Sequence, residues 1–357
     1  MLLYVPTKVY SETECVKNHA KELGSFGKKA MLVTGKHSAR KSGAMQDVEE
    51  ALKQENISCV IFDEIEENPS IETVMRAREF GIQEKVDFII GIGGGSPLDA
   101  SKAIAMMIAN PTLTEEVLYE SLELENLPVV CVPTTCGTGS EVTPYAILTI
   151  HKQRTKKSIS HRIYPNLALL DAKYLKSMSR EGLVNTSVDA LAHLIESYLN
   201  TNSNELNRIY SREGLCMWAE FKDRLKENCI TEDDYVKMLH ASMVAGMAIT
   251  HTGTSLPHGL SYAVTYESGV PHGKAVGMFL GGFIEGYQDK EDVAEVLGLL
   301  GFESASDFRV YMRELLGVVE VSEELMKANA QGLLENPAKL KNYPFEITEK
   351  ELMEMTN

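Results

Sequence analysis

The 357-residue sequence lacks the features of membrane, secreted and nucleic-acid-binding proteins. No stretch approaches the ~18 consecutive apolar residues of a transmembrane helix, and the opening residues, MLLYVPTKVYSETE, lack the basic and apolar regions of a secretory signal. The six cysteines include no CxxC pair, which favours reduced thiols over a disulfide framework. Acidic residues outnumber basic ones by 51 − 35 = 16, and this charge repels phosphate backbones. We therefore expect a cytoplasmic protein that binds neither nucleic acid nor membranes.

Hydrophobic patterning divides the chain near residue 180, and its length suits two domains. Before that point, runs rich in valine and isoleucine alternate with helical stretches, which is typical of a parallel sheet covered on both faces. The predicted strands are 29–34, 58–62, 86–92 and 128–132, with helices at 45–54 and 99–107. Only helical periods follow, at 187–199, 205–228, 232–248, 291–300, 305–315, 322–331 and after Thr348. The sequence predicts an α/β domain over 1–180 and an all-helical domain over 181–357, with a site in the cleft between them.

Two polar turns follow predicted strands in the first half. The first, GGGS at 93–96, precedes a helical run that starts at Asp99. Glycines allow a ligand to approach the backbone closely, and a helix N-terminus favours an anion. The second turn, at 133–143, consists mostly of Thr, Ser and Gly. Two such turns on one sheet favour nucleotide binding over the alternative, a pair of ordinary tight turns.

Four residues of the second half have side chains that bind first-row divalent metals. Asp189 and His193 are four residues apart in a helical period, so they share one helix face. His258 and His272 each stand between Pro and Gly, and the Gly-Val-Pro segment at 269–271 is expected to break the helix between them. One carboxylate and three imidazoles suit Fe²⁺, Zn²⁺ or a similar ion. The alternative is a solvated surface pair and two unrelated histidines.

Several motifs, in this order, resemble those of the iron-containing, or group III, alcohol dehydrogenases. They are GGGSPLDASK (93–102), PTTCGTGSEVT (133–143), DALAHLIESY (189–198), GMAITHTGTSLPHG (246–259), PHGKAVG (271–277) and a late Asn-Pro at 336–337. The resemblance covers essentially the whole chain and is strongest to members similar to 1,3-propanediol and butanol dehydrogenases. It implies an N-terminal dinucleotide-binding α/β domain with a parallel sheet and an all-helical C-terminal domain. This is the dehydroquinate synthase-like fold, with the metal in the cleft.

The resemblance also implies roles for the motif residues. The metal ligands, which are also the catalytic residues, are Asp189, His193, His258 and His272. The turn that binds the cofactor pyrophosphate comprises Gly93, Gly94, Gly95 and Ser96, with Asp99 in the same motif. The threonines on the nicotinamide side are Thr134, Thr135, Thr138 and Thr143. A cofactor-contacting lysine is Lys157 or its neighbour Lys156, because the basic run leaves the register open.

Two positions depart from the family pattern. Many members have an Asp that binds the ribose 2′-hydroxyl, but this chain has Gly35. The residues that follow are polar or basic and include Lys36, His37, Ser38 and Arg40. We expect this segment to favour NADP(H) over NAD(H), although its basic residues can also coat an exposed loop. Where many members have a further histidine, this chain has Tyr262, whose role is open; His251 either lines the pocket or packs elsewhere.

The expected function is metal-dependent hydride transfer between NAD(P)(H) and small primary alcohols, diols or their aldehydes. The resemblance implies Fe²⁺ as the metal, with Zn²⁺ as an alternative, and a homodimer or larger homo-oligomer. Three other functions stay open: a glycerol-dehydrogenase-like enzyme, a dehydroquinate-synthase-like enzyme, and a non-catalytic nucleotide-binding sensor. The first two resemble a three-ligand pattern, whereas this chain has four candidate ligands. A complete ligand set argues against the sensor.

Overall fold

The computed structural model describes residues 3–153 and 155–356, without the side chains of residues 338 and 339. Within these residues the chain forms two compact units. One unit comprises Val5–Thr135 and Gly139–Met178. The other comprises the chain from Ser179 onward together with Cys136–Thr138 and the N-terminal residues up to Tyr4. The threonine-rich turn predicted at 133–143 therefore contributes residues to both units.

The first unit is built on a six-stranded parallel sheet. In chain order the strands are β1 (Lys8–Ser11), β2 (Lys29–Thr34), β3 (Ser58–Phe62), β4 (Phe88–Gly93), β5 (Val129–Pro133), β6 (Ile147–Ile150), β7 (Thr155–Ser158) and β8 (Leu167–Leu170). The order across the sheet is β1-β8-β5-β4-β2-β3, while β6 and β7 form a separate antiparallel pair. From β2 the chain passes to β3 on one side and then to β4 on the other. The order of strands thus reverses between β2 and β4.

Helices cover both faces of this sheet, because its central strands are apolar on both sides. Met31 and Val33 of β2 belong to one buried cluster, whereas Ala30 and Leu32 belong to the cluster on the opposite face. The helices are α1 (Cys15–Asn18), α2 (Ala20–Leu23), α3 (Ser38–Ser42), α4 (Ala44–Gln54), α5 (Ile71–Glu84) and α6 (Gly95–Ala109). Short 3₁₀ helices span Glu115–Tyr119, His151–Gln153 and Ala172–Ser177.

The second unit is helical, with no strand among its described residues. Its helices are α7 (Arg180–Tyr198), α8 (Arg208–Glu227), α9 (Glu232–Thr252), α10 (Leu256–Ser268), α11 (His272–Gly286), α12 (Lys290–Leu300), α13 (Ala305–Leu316), α14 (Glu323–Leu334), α15 (Pro337–Leu340) and α16 (Glu349–Glu354). The central helix, α7, packs against α8, α9 and α11. In the described part of the chain, none of the helices combines the length and hydropathy needed to cross a bilayer.

The predicted fold class is confirmed: an α/β domain with a parallel sheet precedes an all-helical region. The strands predicted at 29–34 and 58–62 have the predicted bounds, and the capping box predicted at Thr348 is present. Four strands, β1, β6, β7 and β8, were not predicted. The helix predicted from residue 187 begins at Arg180 instead, because Ser179 caps it by accepting a hydrogen bond from the backbone N–H of Gly182.

Candidate metal centre and cofactor-binding turns

Three polar residues lie on a completely buried stretch of α7. Every residue from Ser187 to Tyr198 is buried, so this part of the helix has no face toward solvent. The stretch includes Asp189, His193 and Glu196, none of which is more than 5% exposed. Burying a charged group costs several kcal/mol unless it is paired or binds a metal. These three side chains therefore require partners inside the protein.

The other two predicted ligands stand at the starts of two further helices. His258 lies in the first turn of α10, and His272 is the first residue of α11. Gly269 caps the end of α10 with a φ of 64°, and Pro271 directly precedes α11. The predicted helix break between the two histidines is confirmed. It allows both imidazoles to approach α7.

Three imidazole nitrogens surround one carboxylate oxygen. Asp189 Oδ1 lies 3.4 Å from His258 Nε2 and 3.6 Å from His272 Nε2. The ligand atoms of these three residues all lie within 4.8 Å of one another. His193 is outside that group of three, but its Nε2 lies 3.9 Å from the same Asp189 oxygen and its ring stacks on His258. The structure thus brings the four predicted ligands together in one unit.

The electrostatics of this cluster suit a cation. Asp189 Oδ1 and His258 Nε2 are buried and have no hydrogen-bond partner among the described residues. Although burial opposes ionisation, the charges of His193, His258 and His272 hold the pKa of Asp189 well below its usual range. Burial also lowers the pKa of His193, which leaves its ring nitrogen available as a ligand. Burial opposes a charge on His258, but Glu196 and Asp189 raise the pKa of its imidazole to about 9, so a metal ion would displace a proton there. One carboxylate and three imidazoles match the ligand set that first-row divalent metals accept.

Each histidine of the cluster has its own support. His193 Nδ1 donates to the carbonyl oxygen of Gly137 at 3.2 Å, and His258 Nδ1 lies 2.5 Å from Glu196 Oε1. The ring of Tyr262 stacks on His272, with centroids 5.9 Å apart and planes 14° from parallel. Tyr262 therefore borders the cluster, at the position where many family members have a histidine. Sequence analysis missed Glu196. The one indication in the sequence was an acidic residue within a segment of mostly apolar residues with helical spacing.

The glycine turn predicted to bind pyrophosphate follows β4 and opens α6. It stands beside the point where the strand order reverses, which is where ligands bind in open α/β sheets. A Cβ on Gly94 would lie 3.1 Å from Thr135 of the second turn, so the two turns approach each other closely. Thr134 donates its backbone N–H to the carbonyl of Gly93, and its buried hydroxyl has no hydrogen-bond partner in the described chain.

A buried lysine holds the second turn in place. Lys102 is fully buried, and its ammonium donates to Ser140 Oγ at 2.8 Å and to the carbonyl oxygen of Tyr145 at 2.7 Å. Asp99 accepts from the Ser140 hydroxyl and from the backbone N–H of Ile147. Asp99 thus has protein partners for both carboxylate oxygens, and Lys102 is a further residue that sequence analysis did not single out.

The remaining predicted cofactor residues occupy different environments. Thr143 is buried, with Oγ1 3.4 Å from the Lys102 ammonium, whereas Thr138 is half-buried and belongs to the helical unit. Gly35 follows β2, and a Cβ there would lie 3.0 Å from the carbonyl oxygen of Ile65. The segment after Gly35 is exposed at Lys36, His37, Ser38 and Arg40. This segment and the glycine turn follow adjacent parallel strands and so lie at one edge of the sheet.

His251 has packing partners other than the four predicted ligands. Its Nε2 accepts the backbone N–H of Tyr4, its Nδ1 donates to the carbonyl of Met247, and its ring stacks on Tyr210. Both ring nitrogens therefore have backbone partners. Of the two positions that sequence analysis left open, this one has a packing role.

Lys156, and not Lys157, is connected to the glycine turn. Lys156 Nζ donates to Asn68 Oδ1 at 2.7 Å, and the backbone N–H of Asn68 donates to Ser96 Oγ at 3.0 Å. Lys157 is exposed, with its ammonium over the ring of Tyr119. Burial lowers the pKa of Lys156 to about 8. The two lysines face opposite ways because side chains alternate along β7.

We expect Lys156→Ala to raise the KM for the nicotinamide cofactor about tenfold, since a hydrogen bond to a charged group contributes ~1.5 kcal/mol or more. The matched variant Lys157→Ala should change it less than about twofold. In the wild type, the cofactor KM should rise above pH 8 as the Lys156 ammonium loses its proton. Steady-state kinetics from pH 6 to 9.5 measure both effects. A larger effect from Lys157→Ala would contradict this assignment.

Two family models match consecutive parts of the chain. The model of the iron-containing alcohol dehydrogenases matches residues 6–172, and that of the C-terminal domain of this family matches residues 183–341. Among solved structures, an iron-containing alcohol dehydrogenase from Thermotoga maritima is 36% identical, with a TM-score of 0.92 over 99% of this chain and 98% of that one.

Two curated relatives have more specific names. The chain is 32% identical to the mitochondrial hydroxyacid-oxoacid transhydrogenase of Caenorhabditis briggsae, over 68% of this chain and 57% of that protein. It is 29% identical to the NADPH-dependent butanol dehydrogenase of Clostridium saccharobutylicum, over 71% of this chain and 66% of that protein. The matches thus span less than two thirds of either relative. Both family models and the 36% identical structure agree, and the chain belongs to the iron-containing alcohol dehydrogenase family.

Proposed function

We propose that the protein is a metal-dependent NAD(P)(H) alcohol dehydrogenase that oxidises small primary alcohols or diols and reduces their aldehydes. The convergence of three imidazole nitrogens on the buried Asp189 carboxylate carries this proposal. Family membership supports the reaction class. The domain over 1–180 would bind the dinucleotide, and the domain over 181–357 would bind the metal and the substrate.

The residues of the cluster fit a first-row divalent ion. Asp189, His193, His258 and His272 would hold it, and the unpartnered oxygen and nitrogen of Asp189 and His258 would gain a partner. We propose Fe²⁺ in the cell, with Zn²⁺ as an ion that the same ligands accept. The six cysteines are free thiols, which supports the proposal of a reducing, cytoplasmic location. We also propose a homodimer or larger homo-oligomer, as in the family.

When bound, the ion supplies Lewis-acid polarisation of a substrate oxygen, and the nicotinamide cofactor supplies or accepts the hydride. Asp189 contributes the negative charge of the centre, and the surrounding buried residues exclude water from it. The His272 side chain is 28% exposed, whereas those of Asp189 and His258 are 5% and 3% exposed. Substrate would therefore reach the centre from the side of His272, where the ring of Tyr262 can orient it.

The dinucleotide would lie along the edge of the sheet where the strand order reverses. Gly93, Gly94, Gly95 and Ser96 would receive the pyrophosphate at the start of α6. The buried, unpartnered Thr134 hydroxyl supports a ligand at the neighbouring turn. We propose a preference for NADP(H), because Gly35 lacks a carboxylate and the exposed Lys36 and Arg40 follow it.

The proposal is tested by stripping the metal, reloading anaerobically with Fe²⁺ or Zn²⁺, and following oxidation of NADPH and NADH by absorbance. Butanal and 3-hydroxypropanal are the substrates. We expect turnover to require the ion, and kcat/KM to be about tenfold higher with NADPH than with NADH, since one favourable ion pair accounts for such a difference. Reloading with Mg²⁺, which prefers oxygen ligands, is the control and should restore nothing.

Each other outcome of this experiment has a definite meaning. Full turnover of the stripped protein would overturn the metal-dependent mechanism. A preference for NADH would overturn the cofactor assignment and keep the reaction. If the protein binds nucleotide and metal but neither ion supports turnover, a non-catalytic nucleotide-binding sensor would be favoured.

A further inference from the structure

Glu196 is a fully buried carboxylate on the helix that carries two of the proposed ligands. It follows Asp189 by seven residues and His193 by three, so all three side chains share one side of α7. Its exposed fraction is 0%. In the described chain, no lysine or arginine forms an ion pair with it; its one ion-pair partner is His258.

The two oxygens of this carboxylate accept from two donors at the start of α10. Oε1 lies 2.5 Å from His258 Nδ1, and Oε2 accepts the backbone N–H of Ser255, the residue that precedes the helix. A carboxylate oxygen accepts from an imidazole N–H, so this contact places a proton of His258 on Nδ1. Its other nitrogen, Nε2, lies 3.4 Å from Asp189 Oδ1 and is the one that faces the cluster.

The negative charge of the two carboxylates also favours a bound cation. Asp189 and Glu196 are two buried carboxylates, and the ion pairs that they form within the described residues are with histidines. Burying an uncompensated carboxylate costs several kcal/mol. A divalent cation would balance both negative charges without requiring the histidines to stay protonated.

We propose that Glu196 is a positioning residue for the metal centre. It fixes the tautomer and the orientation of His258, so that Nε2 is the nitrogen that binds the ion. This inference rests on the proposed metal-dependent function. Carboxylates that support a metal-binding histidine in this way raise the metal affinity about 10–100-fold. A structural alternative exists, because Glu196 also holds the backbone at the start of α10.

Glu196→Gln distinguishes the two roles, because it keeps the shape of the side chain and removes one acceptor. The amide oxygen of Gln can serve Ser255 or His258, while the NH₂ group faces the other donor. A glutamine NH₂ beside Nδ1 favours the tautomer with the proton on Nε2, which cannot bind a metal. We expect Co²⁺ affinity to fall about 10–100-fold, with a changed visible absorption spectrum and little change in the Tm of the metal-free protein.

The titration uses Co²⁺ alone, with neither cofactor nor alcohol, on the full chain. Glu205→Gln is the matched control, since that side chain is 88% exposed, and it should bind Co²⁺ like the wild type. Wild-type affinity and spectrum in Glu196→Gln would overturn the inference and leave the proposed function intact. Failure of the wild type itself to bind Co²⁺, Fe²⁺ or Zn²⁺ would instead overturn the proposed function. A large loss of Tm without a loss of affinity would assign Glu196 a structural role.

A measurement on the wild type keeps the inference testable if Glu196→Gln does not fold. In Zn²⁺-loaded protein labelled with ¹⁵N-histidine, we expect a solvent-protected proton on Nδ1 of His258. A proton on Nε2 of His258 would overturn the inference.

Discussion

Asp189→Asn should abolish alcohol oxidation and metal binding while the fold and cofactor binding persist. The substitution keeps the size of the side chain but removes the one anionic oxygen that lies 3.4–3.9 Å from all three imidazole nitrogens. An ion that polarises a substrate oxygen contributes several kcal/mol to transition-state stabilisation. We expect kcat/KM to fall at least about 1,000-fold. His272→Ala should cause a loss of the same order, since it removes the ligand on the accessible side.

Metal content after gel filtration, NADPH binding by fluorescence and aldehyde reduction together measure this prediction. Asp223→Asn is the matched control, because its side chain is 72% exposed and forms an ion pair with its neighbour Lys222. The control should keep its metal and its activity. Full turnover of Asp189→Asn would show that the four-residue cluster is not the catalytic centre. Loss of NADPH binding together with metal would show that the variant is misfolded.

Gly273→Ala should lower both thermal stability and metal affinity, because α7 and α11 touch at this residue. A Cβ on Gly273 would lie 1.8 Å from the carbonyl oxygen of Asn185. The two helices must move apart to accommodate it, and overpacking of this kind costs about 1–3 kcal/mol. His272 is the adjacent residue, and Asn185 is one helical turn before Asp189. We expect the Tm to fall by roughly 5 °C or more and Co²⁺ binding to weaken at least about tenfold.

Gly286→Ala is the control for Gly273→Ala, since it lies in the same helix and a Cβ there meets nothing within 4 Å. It should leave the Tm unchanged or raise it, because alanine favours helix more than glycine. Differential scanning calorimetry and Co²⁺ titration compare the two variants. Equal Tm values for Gly273→Ala and the wild type would contradict this prediction, because they would show that α7 and α11 separate without a loss of stability.

The sequence predicted those helices and strands whose hydrophobic pattern is complete within one segment. Continuous apolar runs predicted β2 and β3 with their observed bounds, and helical periods predicted the second unit. β1 and β8 have only four residues each, and Lys8–Ser11 contains a single aliphatic residue. These two strands are defined by pairing with each other across the chain, from Lys8 to Leu167 onward. A short segment does not reveal such a long-range partner.

The site shows the same division between local and long-range information. The four-residue spacing predicted that Asp189 and His193 share one helix face, and the Gly-Val-Pro segment predicted the helix break between His258 and His272. The role of Glu196 depends on a contact with a residue 62 positions away, so no local pattern indicates it. The different surroundings of Lys156 and Lys157 depend on the register of β7, which the sequence of a basic run does not define.

The wide separation of the four proposed ligands along the chain has a thermodynamic consequence. Asp189 and His272 are 272 − 189 = 83 residues apart, so an ion bound by both would cross-link α7 and α11 and close a long loop; with His258 as a ligand it would also bind α10. The entropic advantage of closing a loop changes only slowly with its length. An ion present at a thousandfold excess over its Kd would add ~4 kcal/mol to the free energy of unfolding. The six cysteines are free thiols, so the metal would be a reversible cross-link of the kind that disulfides provide in other proteins. The free energy of unfolding of the helical unit would then depend on the concentration of available metal.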